Sequence, residues 1–163
     1  MKLILDTSAL LSGFQPNKCY TVREVIDEVR EKNARLRISL SLEEGSLMLV
    51  EPEEENLLEI KEAALESGDI AKLSDTDIKL LSVALHFKKK RFKPVIITDD
   101  YNIQNLAGKL GMEFSPTTEA GIKKILTWKK ICKGCGKRFP IEYQGSCDVC
   151  GTRVSKIAEE INL

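Results

Sequence analysis

Val95-Ile96-Ile97-Thr98-Asp99-Asp100 decides the fold of this chain. An uninterrupted apolar run, opened by Pro94 and closed by two acids, is the pattern of a strand buried on both faces, as in a parallel sheet covered by helices. Lys2-Leu3-Ile4-Leu5 repeats the pattern and also ends in an acid, Asp6. Asp6-Thr7-Ser8 then turns into a brief helix that Gly13 ends. Thr21-Val22-Arg23-Glu24 has the form of a capping box, and Val22, Val25, Ile26 and Val29 recur at helical spacing, which predicts a helix over about 21–33. Leu47-Met48-Leu49-Val50 reads as a second strand. Pro52 opens a helix marked by Leu57, Leu58, Ile60 and Leu65 that closes before Gly68. Ser74 is a plausible N-cap for an apolar helix from Asp75 to about Lys90; after the strand at 95–98, a helix over 101–110 stops at Gly111, and Glu113-Phe114-Ser115 forms a last short strand. Strands alternating with helices predict an α/β domain with a central parallel sheet flanked by helices.

The carboxyl-terminal quarter follows another logic. Cys132-Lys-Gly-Cys135 and Cys147-Asp-Val-Cys150 are two C-x2-C knuckles eleven residues apart, a spacing that closes a tetrahedron of four thiolates around one structural Zn²⁺. Gly134, Gly136 and Gly151 let the knuckle backbone turn. Two disulfides or idle thiols are the alternative, and Cys19 stands alone as a small, partly buried side chain. The expected organisation is a main domain at 1–118, a linker at 119–131 with one or two helical turns through Ile122, Ile125 and Leu126, a small zinc ribbon at 132–155, and a tail at 156–163 forming a short helix with Ile157 and Ile161 on one face. Trp128, among four lysines, is either a stacking platform for a base or a residue packed against the ribbon or main domain; the second reading is favoured.

At 163 residues and 42% hydrophobic content, the chain holds one ordinary domain plus an appendage. No apolar run approaches the roughly 20 residues needed to cross a bilayer, and the amino terminus is too short and too soon acidic for a signal peptide, so the expectation is a cytoplasmic protein with no membrane partner. The zero net charge divides unevenly. Residues 120–154 carry eight Lys or Arg against Glu142 and Asp148, so this segment is +6 and the remainder −6. A basic module beside an acidic domain points to a nucleic-acid grip next to a carboxylate-rich site.

Two strands end in carboxylates, and in open α/β sheets the carboxyl ends of neighbouring strands border the ligand crevice. Asp6 and the Asp99-Asp100 pair therefore converge despite their separation in sequence. Glu28 lies at the edge of its helix's apolar stripe and Asp77 shares a side with Leu81 and Ala84, whereas Asp27 and Glu31 point to solvent. Several acids without compensating cations repel one another, so a divalent cation is the natural balance, and oxygen-only ligands suit Mg²⁺ or Mn²⁺. Such an ion polarises a phosphodiester and acidifies an attacking water. Taken singly, Asp6 reads equally as a helix N-cap, Asp75 and Asp77 as acids at a helix's positive end, and Asp99 or Asp100 as an Asx turn.

Leu5-Asp6-Thr7-Ser8-Ala9-Leu10, Glu28, Leu73-Ser74-Asp75-Thr76-Asp77 and Ile97-Thr98-Asp99-Asp100 resemble, in order, the motifs of PIN-domain ribonucleases. With Asp99-Asp100-Tyr101-Asn102-Ile103-Gln104-Asn105 and the four-cysteine ribbon, nearly the whole chain resembles the archaeal Nob-one endonuclease family. The resemblance implies cleavage at the 3′ end of pre-16S RNA with Mn²⁺ or Mg²⁺, in the context of the pre-ribosomal small subunit and other assembly factors, with the ribbon aiding binding of ribosomal RNA. It also implies that Asp6, Glu28 and Asp77 are metal-site acids, joined by Asp100 or its neighbour Asp99. Thr7, Ser8, Ser74 and Thr98 would orient carboxylates or substrate phosphate.

His86, the only histidine, lies nine places from Asp77 on its helix, too far along for a shared site. Lys88-Lys89-Lys90-Arg91 with Lys93 is a solvated helix end or a phosphate contact. In the ribbon, Lys133, Lys137 and Arg138 beside Phe139 and Tyr143 combine charge with stacking surface, and Lys129 and Lys130 extend that basic face toward the main domain. The rival functions are a toxin-type PIN ribonuclease acting on tRNA or mRNA, which the ribbon argues against, and a non-catalytic RNA-binding scaffold, which the acid set argues against.

Overall fold

The computed structural model describes residues 1–14, 16–117 and 124–162. β1 (Lys2–Leu5), β2 (Cys19–Thr21), β3 (Leu47–Leu49), β4 (Pro94–Ile97) and β5 (Glu113–Ser115) form one parallel sheet in the order β3-β2-β1-β4-β5. The decisive run and its amino-terminal echo are thus the two central neighbours, paired Leu3 to Val95 and Leu5 to Ile97. Ile4, Leu5, Ile96 and Ile97 are buried, each contributing about 1.5–3 kcal/mol of apolar stabilisation. The strand order reverses at β1 and β4, and their carboxyl ends open onto the crevice typical of such sheets.

The helices are α1 (Thr7–Ser12), α2 (Arg23–Glu28), α3 (Lys32–Glu43), α4 (Glu54–Ser67), α5 (Asp75–Lys89) and α6 (Tyr101–Lys109). Gly13 and Gly68 cap α1 and α4 in the left-handed conformation, as their positions foretold. α5 carries the largest helical share of the core, including Ile78, Leu80, Leu81, Val83 and Ala84. None of the helices among the described residues is long and apolar enough to cross a membrane.

The single helix expected over about 21–33 is instead a strand end, a short helix, a break and the start of another helix. Thr21 ends β2, and its hydroxyl donates to the Leu5 carbonyl at 2.8 Å inside the sheet instead of capping a helix. Glu24 ion-pairs with Lys79 of α5, so both halves of the apparent capping box serve tertiary contacts. Val29 leaves the helix with extended backbone, and Glu31, exposed as expected, also N-caps α3 by accepting from the Asn33 and Ala34 amides at 2.9 and 2.6 Å. α3 escaped notice because Leu36, Ile38, Leu40 and Leu42 alternate like a strand. Its buried face, Ala34, Ile38 and Ser41, has helical spacing but only one large apolar residue.

The second correction concerns the region around the cysteines. Lys124–Cys132, expected as linker with helical turns, is a nine-residue strand, β6, and Val154–Asn162, expected as a helical tail, is its antiparallel partner β8. The ladder runs from Cys132 opposite Val154 to Lys124 opposite Asn162, and Arg138–Phe139 (β7) pairs on the other edge of β6. The knuckles bring the ends of β6 and β8 together, and the partly apolar, β-branched and aromatic run 125–131 then pairs over its whole length. Ile122 and the first part of the expected linker lie outside the described residues.

Candidate active site and four-cysteine module

Asp6 follows β1 directly, and its backbone amide donates to the Ile97 carbonyl at 3.1 Å, which continues the sheet pairing one step beyond the strands. Its side chain is the N-cap of α1, accepting from the Thr7 amide at 2.6 Å. The N-cap reading of Asp6 is therefore realised. The other oxygen accepts from the Thr98 hydroxyl at 2.7 Å and the Ser8 hydroxyl at 3.3 Å. Thr98, fully buried at the end of β4, is held by Gln104, whose side-chain amide donates to the Thr98 carbonyl at 2.8 Å.

Asp77 enters from α5. Ser74 and Asp77 form a reciprocal capping box, with the Ser74 amide donating to the Asp77 carboxylate at 2.7 Å and the Asp77 amide to the Ser74 hydroxyl at 3.1 Å. Glu28 ends α2 at the exposed rim and accepts from the Thr7 hydroxyl at 2.7 Å. Asp100 N-caps α6 through the Asn102 amide at 2.6 Å. Burial pushes the Asp6 carboxyl above its ordinary range against the pull of its hydrogen bonds, and the Asp100 charge adds to the rise. Burial likewise raises Asp77, with repulsion from Asp100 and Asp6 acting in the same direction. Asp6, Asp77 and Asp100 thus share one electrostatic neighbourhood, and among the described residues no Lys or Arg is ion-paired with any of the three.

Asp99 is differently engaged. Its carboxylate accepts from the Thr117 amide at 2.8 Å and from the Thr117 hydroxyl, while its own amide donates to the Ser8 hydroxyl at 3.1 Å. His86 pairs with Glu53 at 3.0 Å, Lys89 with Glu55 and Glu59, and Lys93 with Glu113, so these helix-end groups serve protein contacts.

The four cysteines form a group whose sulfurs all lie within 4.8 Å of one another, able to hold a metal ion. Cys132 and Cys150 are 3.2 Å apart and Cys135 and Cys147 3.5 Å, far beyond a disulfide bond near 2.05 Å and close to the edges of a tetrahedron with metal–sulfur distances near 2.3 Å. The Thr152 hydroxyl and amide pull the Cys150 thiol down to about 6. Cys19, by contrast, is buried and its thiol is pushed up to about 11 by desolvation.

Around the ribbon, Phe139 and Tyr143 stack on each other with centroids 4.4 Å apart, and the Tyr143 hydroxyl donates to the Ser146 carbonyl. Lys137 is paired with Asp148 at 2.6 Å, Lys129 with Glu159, and Lys130 donates to the Tyr143 carbonyl. Lys133 and Arg138 are exposed.

Sequence reasoning missed the residues that join ribbon and main domain. Asp69, 1% exposed, accepts on one oxygen from Ser67 at 2.8 Å, Asn105 at 3.0 Å and Lys109 at 2.6 Å, and on the other from the Trp128 indole at 3.1 Å. Asn105 also grips the Leu126 backbone from both sides, at 2.8 and 2.5 Å. Trp128 therefore docks on the main domain, with Lys72 and Lys156 over its ring. Gly68 makes the approach possible, since a Cβ there would stand 2.7 Å from that of Trp128. Its place directly after Gly68 was the only signal for Asp69, and nothing local gave it a partner.

Residues 3–87 match the family described as the PIN domain of ribonuclease, and that defines the class. The chain is 36% identical over 157 residues to the endoribonuclease Nob1 of Methanothermobacter thermautotrophicus, covering 94% of this chain and 91% of that protein. It is 37% identical to that of Pyrococcus abyssi, over 96% of this chain and 94% of the relative, and 40% identical to that of Archaeoglobus fulgidus, over 91% and 86%. The chain belongs to the Nob1 family of PIN-domain endoribonucleases.

Proposed function

We propose that this chain is a metal-dependent endoribonuclease that matures the 3′ end of small-subunit (16S) ribosomal RNA by phosphodiester hydrolysis. The observation that supports the reading is that Asp6 after β1, Asp77 in the first turn of α5 and Asp100 after β4 lie within electrostatic reach of one another, with no Lys or Arg ion-paired to them among the described residues. Asp6, Glu28, Asp77 and Asp100 would hold Mn²⁺ or Mg²⁺, hard ions suited to carboxylate oxygens. Such an ion supplies Lewis acidity toward the phosphoryl oxygen and acidifies the attacking water. The chain's own residues preorganise the site: Thr98 and Ser8 orient Asp6, Thr7 orients Glu28, and Ser74 fixes Asp77. Asp100 is the preferred fourth acid, because its charge acts on both Asp6 and Asp77 while Asp99 receives two bonds from Thr117.

In the same reading the four cysteines hold one structural Zn²⁺, and the ribbon grips ribosomal RNA through Lys133, Arg138, Lys129, Lys130 and Lys137 beside Phe139 and Tyr143. The nuclease unit spans 1–118, and β6 and β8 serve as the stem of the ribbon. The protein works in the cytoplasm on the pre-ribosomal small subunit alongside other assembly factors. The test is a transcript spanning the 16S 3′ junction, incubated with Mn²⁺. One cut by the wild-type protein, with binding but no cutting by Asp6→Asn, is the expected result. Indiscriminate cutting of unrelated RNAs would favour a toxin-type nuclease, and an uncut transcript across several metals and temperatures a non-catalytic scaffold.

A further inference from the structure

Trp128 separates two crevices. One, of about 250 Å³, lies between the 3-10 turn Ile70–Lys72, the first turn of α6 and the ribbon stem, and is lined by Lys72, Tyr101, Asn102 and Asn105 with Trp128 as its far wall. The other, of about 340 Å³, also has Trp128 in its wall and is lined by Lys129, Lys130, Arg138 and Phe139 together with the acids Glu66 and Glu142. Two residues lining the first crevice, Tyr101 and Asn102, directly follow the candidate site acid Asp100 in the chain, so their Cα atoms lie within two spacings of about 3.8 Å of that of Asp100. Trp128 is the residue that lines both crevices.

The chemistry along the near crevice is that of a nucleotide, not of an apolar ligand. Lys72 is exposed, and among the described residues its ammonium has no ion pair and rests over the Trp128 ring, 4.1 Å from the centroid. Lys156 adds a second cation at the same ring, 4.7 Å from the centroid. Tyr101, 50% exposed as a residue, brings an aromatic side chain to the lining. The Asn102 side-chain amide makes no hydrogen bond among the described residues, whereas its backbone amide is committed to Asp100. The floor, in contrast, is closed: Asp69 and Asn105 are fully engaged with Lys109, Trp128 and the Leu126 backbone. A positive rim, a half-exposed tyrosine and the Asn102 amide above a rigid floor match phosphate, base face and base edge.

We propose that this crevice is a subsite for one nucleotide of single-stranded RNA flanking the scissile phosphate, with Tyr101 stacking its base, Asn102 contacting the base edge and Lys72 its phosphate. The subsite deepens the ribonuclease reading and rests on it for the identity of the ligand. It exists only while the ribbon is docked, because Trp128 closes it.

The test measures binding of a fluorescent, unstructured RNA carrying an abasic residue at each position in turn, using the full chain with Asp6→Asn in Mg²⁺. Tyr101→Ala weakens binding of intact RNA about tenfold, the loss of one stacked base, and Tyr101→Phe restores it. At one position the abasic RNA binds the Tyr101 protein about tenfold more weakly than intact RNA does, and there Tyr101→Ala costs nothing further. Lys72→Met lowers the salt slope of binding by about 0.7, the release expected for one phosphate on a single strand. Unchanged binding by Tyr101→Ala and Lys72→Met, or losses that add at every abasic position, would overturn the subsite. An Asp6-intact protein that binds with the expected pattern but cuts no RNA upholds the subsite and refutes the nuclease reading. Cleavage of the 16S junction that ignores Tyr101 and Lys72 does the reverse.

Discussion

Asp6 and Asp69 are both buried aspartates at the ends of core elements, and the protein treats them in opposite ways. Asp69 has a partner on every side: a hydroxyl, an amide, an ammonium and an indole N–H all donate to it. Asp6 receives hydroxyls and one amide but, among the described residues, no cation, and the charges of Asp77 and Asp100 act in its neighbourhood. A buried charge that is fully paired holds structure, because removing it strands its partners. A buried charge left among like charges opposes folding, which makes it a candidate binding group. The completeness of the hydrogen-bonding environment, more than burial itself, separates a structural acid from a candidate catalytic one.

The comparison can be broken most directly at Asp6. Asp6→Asn should lower single-turnover cleavage by about 10³-fold, the scale of losing a principal electrostatic group, while RNA binding persists. In metal-free buffer the same substitution should raise the denaturation midpoint, because it removes a buried charge repelled by Asp77 and Asp100; a lower midpoint would deny that the site is strained. Asp69→Ala should act oppositely, costing about 3 kcal/mol in chemical denaturation by leaving Lys109 and its neighbours unpaired. Trp128 is the only tryptophan, so its fluorescence reports the docking alone, and a red shift in folded Asp69→Ala is expected. A native spectrum with full stability would remove Asp69 from its structural role.

Smaller effects sharpen the contrast. Asn105→Ala deletes both bonds to the Leu126 backbone and should cost about 1–3 kcal/mol, read by denaturation and the same fluorescence. Arg138→Ala should reduce the salt slope of RNA binding by about 0.7. Lys137→Ala should reduce it by less, because Asp148 already neutralises Lys137. Equal slopes for the two variants would mean that the ion pair opens when RNA binds.

The candidate acids were legible because each sits beside a strong local signal: Asp6, Asp99 and Asp100 terminate apolar runs, and Asp77 lies in a capping box. Glu28 was legible as an acid on a helix, although that helix is shorter than its periodicity promised. Asp99 and Asp100 look alike in sequence and differ only in the fold, where the Asp99 carboxylate accepts from Thr117 while Asp100 caps α6 and its charge acts on Asp6 and Asp77. β2, α3 and the ribbon stem were not legible for a related reason. Three residues of strand carry no period, α3 buries mostly small residues, and β6 and β8 are strands only because each finds the other about 30 residues away.

By itself the sequence determined the alternation of strands and helices, the acids at the central strand ends and the four-cysteine spacing. Each of these depends on interactions within a few residues or on a repeating pattern. The tertiary structure decided which buried acid is compensated, how the ribbon is held and that Trp128 docks on the main domain. These depend on groups such as Asp69, Asn105 and Trp128 that meet across gaps of 21 to 59 residues. Burial then makes the presence or lack of a single partner energetically decisive, and no local pattern records it.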